Sequence, residues 1–289
     1  MGTSSSYGGS GGNKPLVPSW LPGGGSPPAT PPTPPPPPNG PPPAVPPVPI
    51  LPALPAPGDA GRFIPARNSF TRFVSSGGRD RKSLGRAVSH YVSTSAGGSR
   101  TAARRMGPSR QTSANIANVL SGAIANGPRE TLRSLKLETL AGRPIEEIFI
   151  GIMDYVCPEG GTIDDSIARD AFVETIADLA DNGVTDFDAL TTDQLQTILE
   201  LYAAHAIEAR LCNDIGAKAV ALPSDAAAAA KVQEQLFDFI RRSVSDALAT
   251  GMANVAAMTP DKVLGFVTGV YEQAFSILQS MGETEVDAK

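Results

Sequence analysis

His205 stands in the stretch LYAAHAIEARLCND, with Glu208 three residues on, Cys212 seven on, and Arg210 and Asp214 nearby. A nucleophilic cysteine needs a histidine base within hydrogen-bond reach and a third group to orient that base. Seven residues along one helix is about 10 Å, so His205 and Cys212 are expected to serve packing or an interface. Asp164, Asp165 and Asp170 are of the type that binds metals. At a helix start, compensation of the helix dipole accounts for them better. Cys157 and Cys212 come with no CxxC or His-x-x-x-His spacing, which argues against a zinc site or a disulfide framework and for a reduced, cytoplasmic protein. No P-loop, GxGxxG, GxSxG or HExxH is present, so neither a cofactor nor an enzymatic role is expected.

Two other regions carry chemistry of a different kind. ARNSFTRFVSSGGRDRKSLGRAVSHYVSTSAGGSRTAARRMGPSR interleaves Phe70, Phe73 and Tyr91 with Arg67, Arg72, Arg79, Arg81, Lys82 and Arg86. Cations mixed with aromatics suit a nucleic-acid strand, but no recognisable nucleic-acid-binding motif accompanies them, and a segment that wraps a partner or its own acidic domain is the favoured reading. The opening MGTSSS matches a myristoylation pattern through Gly2 and Ser6. Stable anchoring takes a second signal close by; the basic cluster lies about sixty residues away, no apolar run reaches the roughly 18 residues of a membrane span, and no secretory signal follows Met1. No membrane association is expected.

The elements that would position these residues divide by composition. Of the 28 prolines, 21 lie between Pro15 and Pro57, so residues 1–60 read as a disordered tag and an extended polyproline spacer. Residues 61–112 form a basic segment, helix-like only from about Arg81 to Ser93 and loop elsewhere. Charge separates the halves: Met1–Thr112 holds twelve Lys and Arg against Asp59 and Asp80, a charge of +10, and the remainder carries −15, which together make the net −5. Such an asymmetry predicts that the basic segment docks on an acidic surface, its own or a partner's, or on nucleic acid.

Residues 113–282 are periodic and predict an all-α domain of about seven helices. Ser113 is the expected cap of ANIANVLSGAIAN, Pro128 opens a helix running to Gly142, and Pro144 opens PIEEIFIGIMDYV. Thr162 caps a helix whose apolar face is Ile163, Ile167, Phe172, Ile176 and Leu179. Thr192 begins a helix striped by Leu195, Ile198, Leu199, Tyr202 and Leu211; Ser224 and the run Thr259-Pro260-Asp261 start the last two, and residues 283–289 are expected to be a disordered tail.

Three stretches taken together, MGTSSSYGG with PLVPSWL, NSFTRFVSSGGRDRKSLGRAVSHYVSTSAGG, and DYVCPEGGTIDDSIARDAFVETIADLA with HAIEARLCNDIG, resemble the QatB family of the four-component Qat antiphage defence systems. The resemblance covers the start and nearly everything after Arg62, with the proline spacer as the variable part. It implies three partners: a QatA-like ATPase, a QatC protein resembling the queuosine-pathway enzyme QueC, and a QatD protein resembling TatD nucleases. QueC-like enzymes activate a 7-deazaguanine carboxylate with ATP and pass it to an amine. An α-amine, with a pKa of about 7.7 to 8, is far more nucleophilic near neutral pH than a lysine near 10.4. Loss of Met1 would expose one on Gly2, with Thr3 and Ser4 slim enough to thread behind it and Trp20-Leu21 as an anchor in the partner. Arg72, Arg79, Arg81, Lys82 and Arg86 are the candidate partner contacts of the basic segment. The leading expectation is a non-catalytic defence component modified at Gly2; the alternative is an adaptor that holds nucleic acid or the ATPase through residues 66–110.

Overall fold

A computed structural model describes residues 61–158, 160–216, 225–249, 255 and 258–287. Gly2, Thr3, Ser4, Trp20, Leu21, the proline spacer and the cap expected at Ser224 lie outside them. The described residues are all-α, without strands. The helices are α1 (Ile64–Ser75), α2 (Arg81–His90), α3 (Ser99–Arg105), α4 (Gly107–Asn126), α5 (Pro128–Ser134), α6 (Ile145–Val156), α7 (Ile163–Asp178), α8 (Thr192–Ile215), α9 (Ala226–Leu248) and α10 (Pro260–Asp287). A π-turn, Tyr91–Ser95, continues α2, and a 3₁₀ turn, Glu138–Leu140, precedes α6.

Two long helices organise the rest. α10 packs against α2, α3, α4 and α9, while α8 packs against α4, α7 and α9. The stripe expected on α8 is fully used: Leu195, Ile198, Leu199, Tyr202 and Leu211 are all buried. Three tyrosines lie deep in the core, and each hydroxyl has a partner there, as a buried polar tip requires. Tyr91 meets Asp214 at 3.0 Å, Tyr202 donates to the Ala168 carbonyl at 3.2 Å, and Tyr271 meets Ser113 at 3.0 Å.

Residues 61–112 are not mostly loop. They supply α1, α2, α3 and the first turns of α4, and the position 112 boundary falls inside α4. Ala66, Phe70, Phe73, Val74, Leu84, Ala87 and Val88 join the same core as α8 and α10. The reason is packing rather than local propensity: α1 and α2 each bury one apolar face and leave Arg72, Arg81, Lys82 and Arg86 outside. α2 and α10 approach each other closely at a pair of glycines. A Cβ placed on Gly85 would come within 2.6 Å of the Gly282 carbonyl oxygen, and one on Gly282 within 2.6 Å of the Gly85 carbonyl oxygen. Only glycine lets the two backbones meet this closely.

Other expectations are corrected in detail. Ser113 is no cap but a buried residue within α4, held there by Tyr271. The helix expected from Pro128 to Gly142 breaks after Ser134, because Lys136 takes a left-handed φ of 61° and Leu137 N–H closes back on the Leu132 carbonyl. Ile163, assigned to the apolar face of α7, is 68% exposed at that helix's first turn. Residues 283–287 continue α10 instead of forming a tail. The Thr162 cap is present as a reciprocal box with Asp165, matched by Thr191 with Gln194 at the start of α8.

Candidate functional site

Three arrangements of polar residues stand out. The first is a cleft of about 420 Å³ between α7, α8 and α9, lined by Asp170, Glu174, His205, Glu208, Cys212, Glu234 and Phe237 among others. His205 Nε2 lies 2.9 Å from Asp178 Oδ2, and its ring stacks on Phe237 with centroids 4.4 Å apart. The imidazole is thus held from two sides, and no bond joins it to Cys212. Burial and the Glu208 carboxylate push the Cys212 thiol up to about 12, and burial pushes Cys157 up to about 11. A thiol so rarely ionised is a poor nucleophile. Burial, then the charges of Glu174 and Asp178, raises Glu208 to about 7.

The second arrangement ties the first helices to the eighth. Arg210 donates to Asp214 at 3.1 Å and pairs with Asp164, while Asp214 also meets the Tyr91 hydroxyl. Burial opposes the Arg210 charge, but Asp214, Asp164 and Tyr91 outweigh it and raise its pKa. Burial and the nearby Arg62 lower that of Arg105, which faces the same cluster. Arg67 Nε donates to the Ile215 carbonyl at 2.6 Å, covering the C-terminus of α8. The sequence signals this network only through the bare proximity of Arg210 and Asp214, an i,i+4 pair; Asp164 is 46 residues away.

The aspartates considered as metal ligands are accounted for individually. Asp165 completes the α7 capping box, Asp164 pairs with Arg210, and Asp170 lines the cleft. Gly160 must stay small because the Asp165 carboxylate occupies the space where its Cβ would stand. Among the described residues no group of three or more His, Cys, Asp or Glu is arranged to hold a metal. No helix among them is long and apolar enough to cross a membrane.

The third arrangement is the outer face of α1 and α2. Arg72, Arg79, Arg81, Lys82 and Arg86 are all exposed. Some cations of the segment are spent on the body: Arg81 pairs with Glu285 at 3.6 Å, Arg100 with Glu272 at 3.7 Å, and Arg110 donates to Thr268 at 3.0 Å. The charge asymmetry is therefore resolved in part within the chain itself. Phe70, Phe73 and Tyr91, the aromatics that could have stacked on bases, are buried. The surface keeps its cations and loses its stacking platform, which weakens the nucleic-acid reading.

A family model described as QatB, Qat anti-phage system associated protein QatB, matches residues 97–278, from just before α3 to within α10. No curated protein and no solved structure matches the chain.

Proposed function

The chain belongs to the QatB family and is a component of the Qat anti-phage system, and we propose that its part there is non-catalytic: a helical body that docks on the assembly and an N-terminal region that is modified. In this reading Gly2 is the acceptor of a 7-deazaguanine, delivered as an amide by a QueC-like QatC partner; a QatA-like ATPase and a TatD-like QatD complete the set. The family match carries the assignment to the system. The finer reading draws support from the state of the cleft residues, since a histidine locked between Asp178 and Phe237 and a thiol raised to about 12 are poorly suited to covalent chemistry. The spacer then presents the modified end.

The test is mass spectrometry of the N-terminal peptide from cells expressing the complete operon and from cells lacking the QueC-like gene. The expected result is an amide-linked 7-deazaguanine on Gly2 in the first and a free amine in the second. Gly2→Pro, which makes the amine secondary and constrained, should abolish the adduct and leave the melting temperature of the body unchanged. A bare or acetylated Gly2 in the complete operon would sink the proposal. The adaptor alternative is kept only for the cations of α1 and α2, because the aromatic half of its rationale is in the core.

A further inference from the structure

Four cations of the α1–α2 hairpin are left without an ion pair among the described residues. Arg72 lies near the end of α1, Arg79 in the connecting turn, and Lys82 and Arg86 one turn apart on α2, all exposed. Arg72 and Arg86 both act on Asp80, whose carboxyl is held below its usual range first by its bonds to Ser83 and then by these two charges. All four thus stand on the packed α1–α2 pair or in the turn that joins its helices. Asp80 does not engage them directly, since its two oxygens receive Ser83 N–H at 3.0 Å and Ser83 Oγ–H at 2.6 Å as the cap of α2. Like charges one helical turn apart repel, so the isolated body gains nothing from Lys82 and Arg86 at these positions.

The surroundings decide what kind of surface this is. Beside the cations the last turns of α10 contribute Glu283, Glu285 and Asp287; Glu285 pairs with Arg81, and a cleft of about 390 Å³ is lined by Arg86, Ser89, His90, Glu283, Val286 and Asp287. The face has a basic centre and an acidic rim. A phosphate backbone running across it would meet that rim, and no aromatic of the segment is exposed to stack on a base. A protein surface of alternating sign fits both parts, because charge complementarity sets the register and suppresses wrong partners. We propose that the α1–α2 hairpin is the docking face for another protein of the Qat assembly whose contact surface sets carboxylates against Arg72, Arg79, Lys82 and Arg86 and cations against the Glu283 and Asp287 rim. This rests on membership of the system but not on the Gly2 reading. It also lies outside the residues that the family model matches.

Lys82 is the one primary amine among the four cations and reports directly. The full chain, co-expressed with the other operon proteins and purified as a complex, is treated with a carbodiimide, which joins an amine to a carboxylate already in ionic contact. The expected product links Lys82 to an Asp or Glu of a different Qat protein. Exchange of Arg72, Arg79, Lys82 and Arg86 to Glu should lower recovery of that protein about tenfold or more, in a body that stays folded because all four side chains are exposed but melts lower because the new carboxylates lie beside Asp80, Glu283 and Asp287. Should the reversal disturb folding, the neutral pair Arg72→Gln and Arg86→Gln serves in its place. No Lys82 link, a link to a second copy of this chain, or undiminished recovery overturns the proposal. So does tight binding of a random-sequence duplex at about 150 mM salt that the exchange abolishes. The N-terminal peptide of the same sample reads Gly2 separately, so the loss of one result leaves the other standing.

Discussion

Gly282→Ala offers a perturbation whose sign depends on the α2–α10 crossing. In an isolated helix the exchange stabilises, by about 0.8–1 kcal/mol, because alanine loses less backbone entropy than glycine. Here the new Cβ would lie 2.6 Å from the Gly85 carbonyl oxygen and 3.2 Å from both the Cβ and the N of Ser89. Two of those three atoms are backbone, so relief requires the helices to separate. Overpacking of this kind costs about 1–3 kcal/mol. Offset by propensity, the net effect is a loss of about 0–2 kcal/mol, which for a body of this size lowers Tm by up to roughly 8 °C. Gly269 is an internal control on the same helix, since a Cβ added there would meet nothing within 4 Å. Gly269→Ala should raise stability by about 0.5–1 kcal/mol. Urea denaturation followed by circular dichroism measures both variants. If Gly282→Ala proves as stable as Gly269→Ala, the close crossing of α2 and α10 is refuted.

Three further outcomes follow from the polar groups. Glu208 is raised from 4.5 to about 7 in the folded chain, so its contribution is fully present below about pH 4.5 and is lost as pH rises through about 7; Glu208→Gln should therefore stabilise at pH 8, on the order of 2 kcal/mol, with little effect at pH 4.5, and melting curves at the two pH values check it. Arg210→Met leaves the Asp214 carboxylate, 10% exposed, without its cation, for an expected loss of about 3 kcal/mol, whereas Asp164→Asn, at a 41% exposed partner, should cost less than about 1 kcal/mol; equal losses in urea titrations would contradict the network's geometry. With thiols raised to about 11 and 12, Cys157 and Cys212 should alkylate at pH 8 on the order of a hundredfold more slowly in the folded chain than in urea, as timed by mass spectrometry.

What could be read from the residues alone was whatever depends on neighbours along the chain. The stripe from Leu195 to Leu211, the Thr162 cap and the proline-led start of α10 follow from helical periodicity and backbone donors, and all are present. The separation of His205 and Cys212 was also legible, because i,i+7 spacing puts about 10 Å of helix axis between them, and no bond joins them in the cleft that both line. Tertiary structure decided the rest. A segment of Gly, Ser and Arg offers weak local preference, so α1 and α3 became legible only once Phe70, Phe73 and Ala103 had a core to enter. That same burial removed the aromatics from the basic surface and left Arg72, Arg79, Lys82 and Arg86 exposed on it. Asp164 and Tyr91 reach Arg210 and Asp214 across 46 and 123 residues, and the Gly85–Gly282 crossing joins positions nearly two hundred apart. Pairings at such separations are set by which surfaces bury together, a property of the folded whole that no local run of sequence carries.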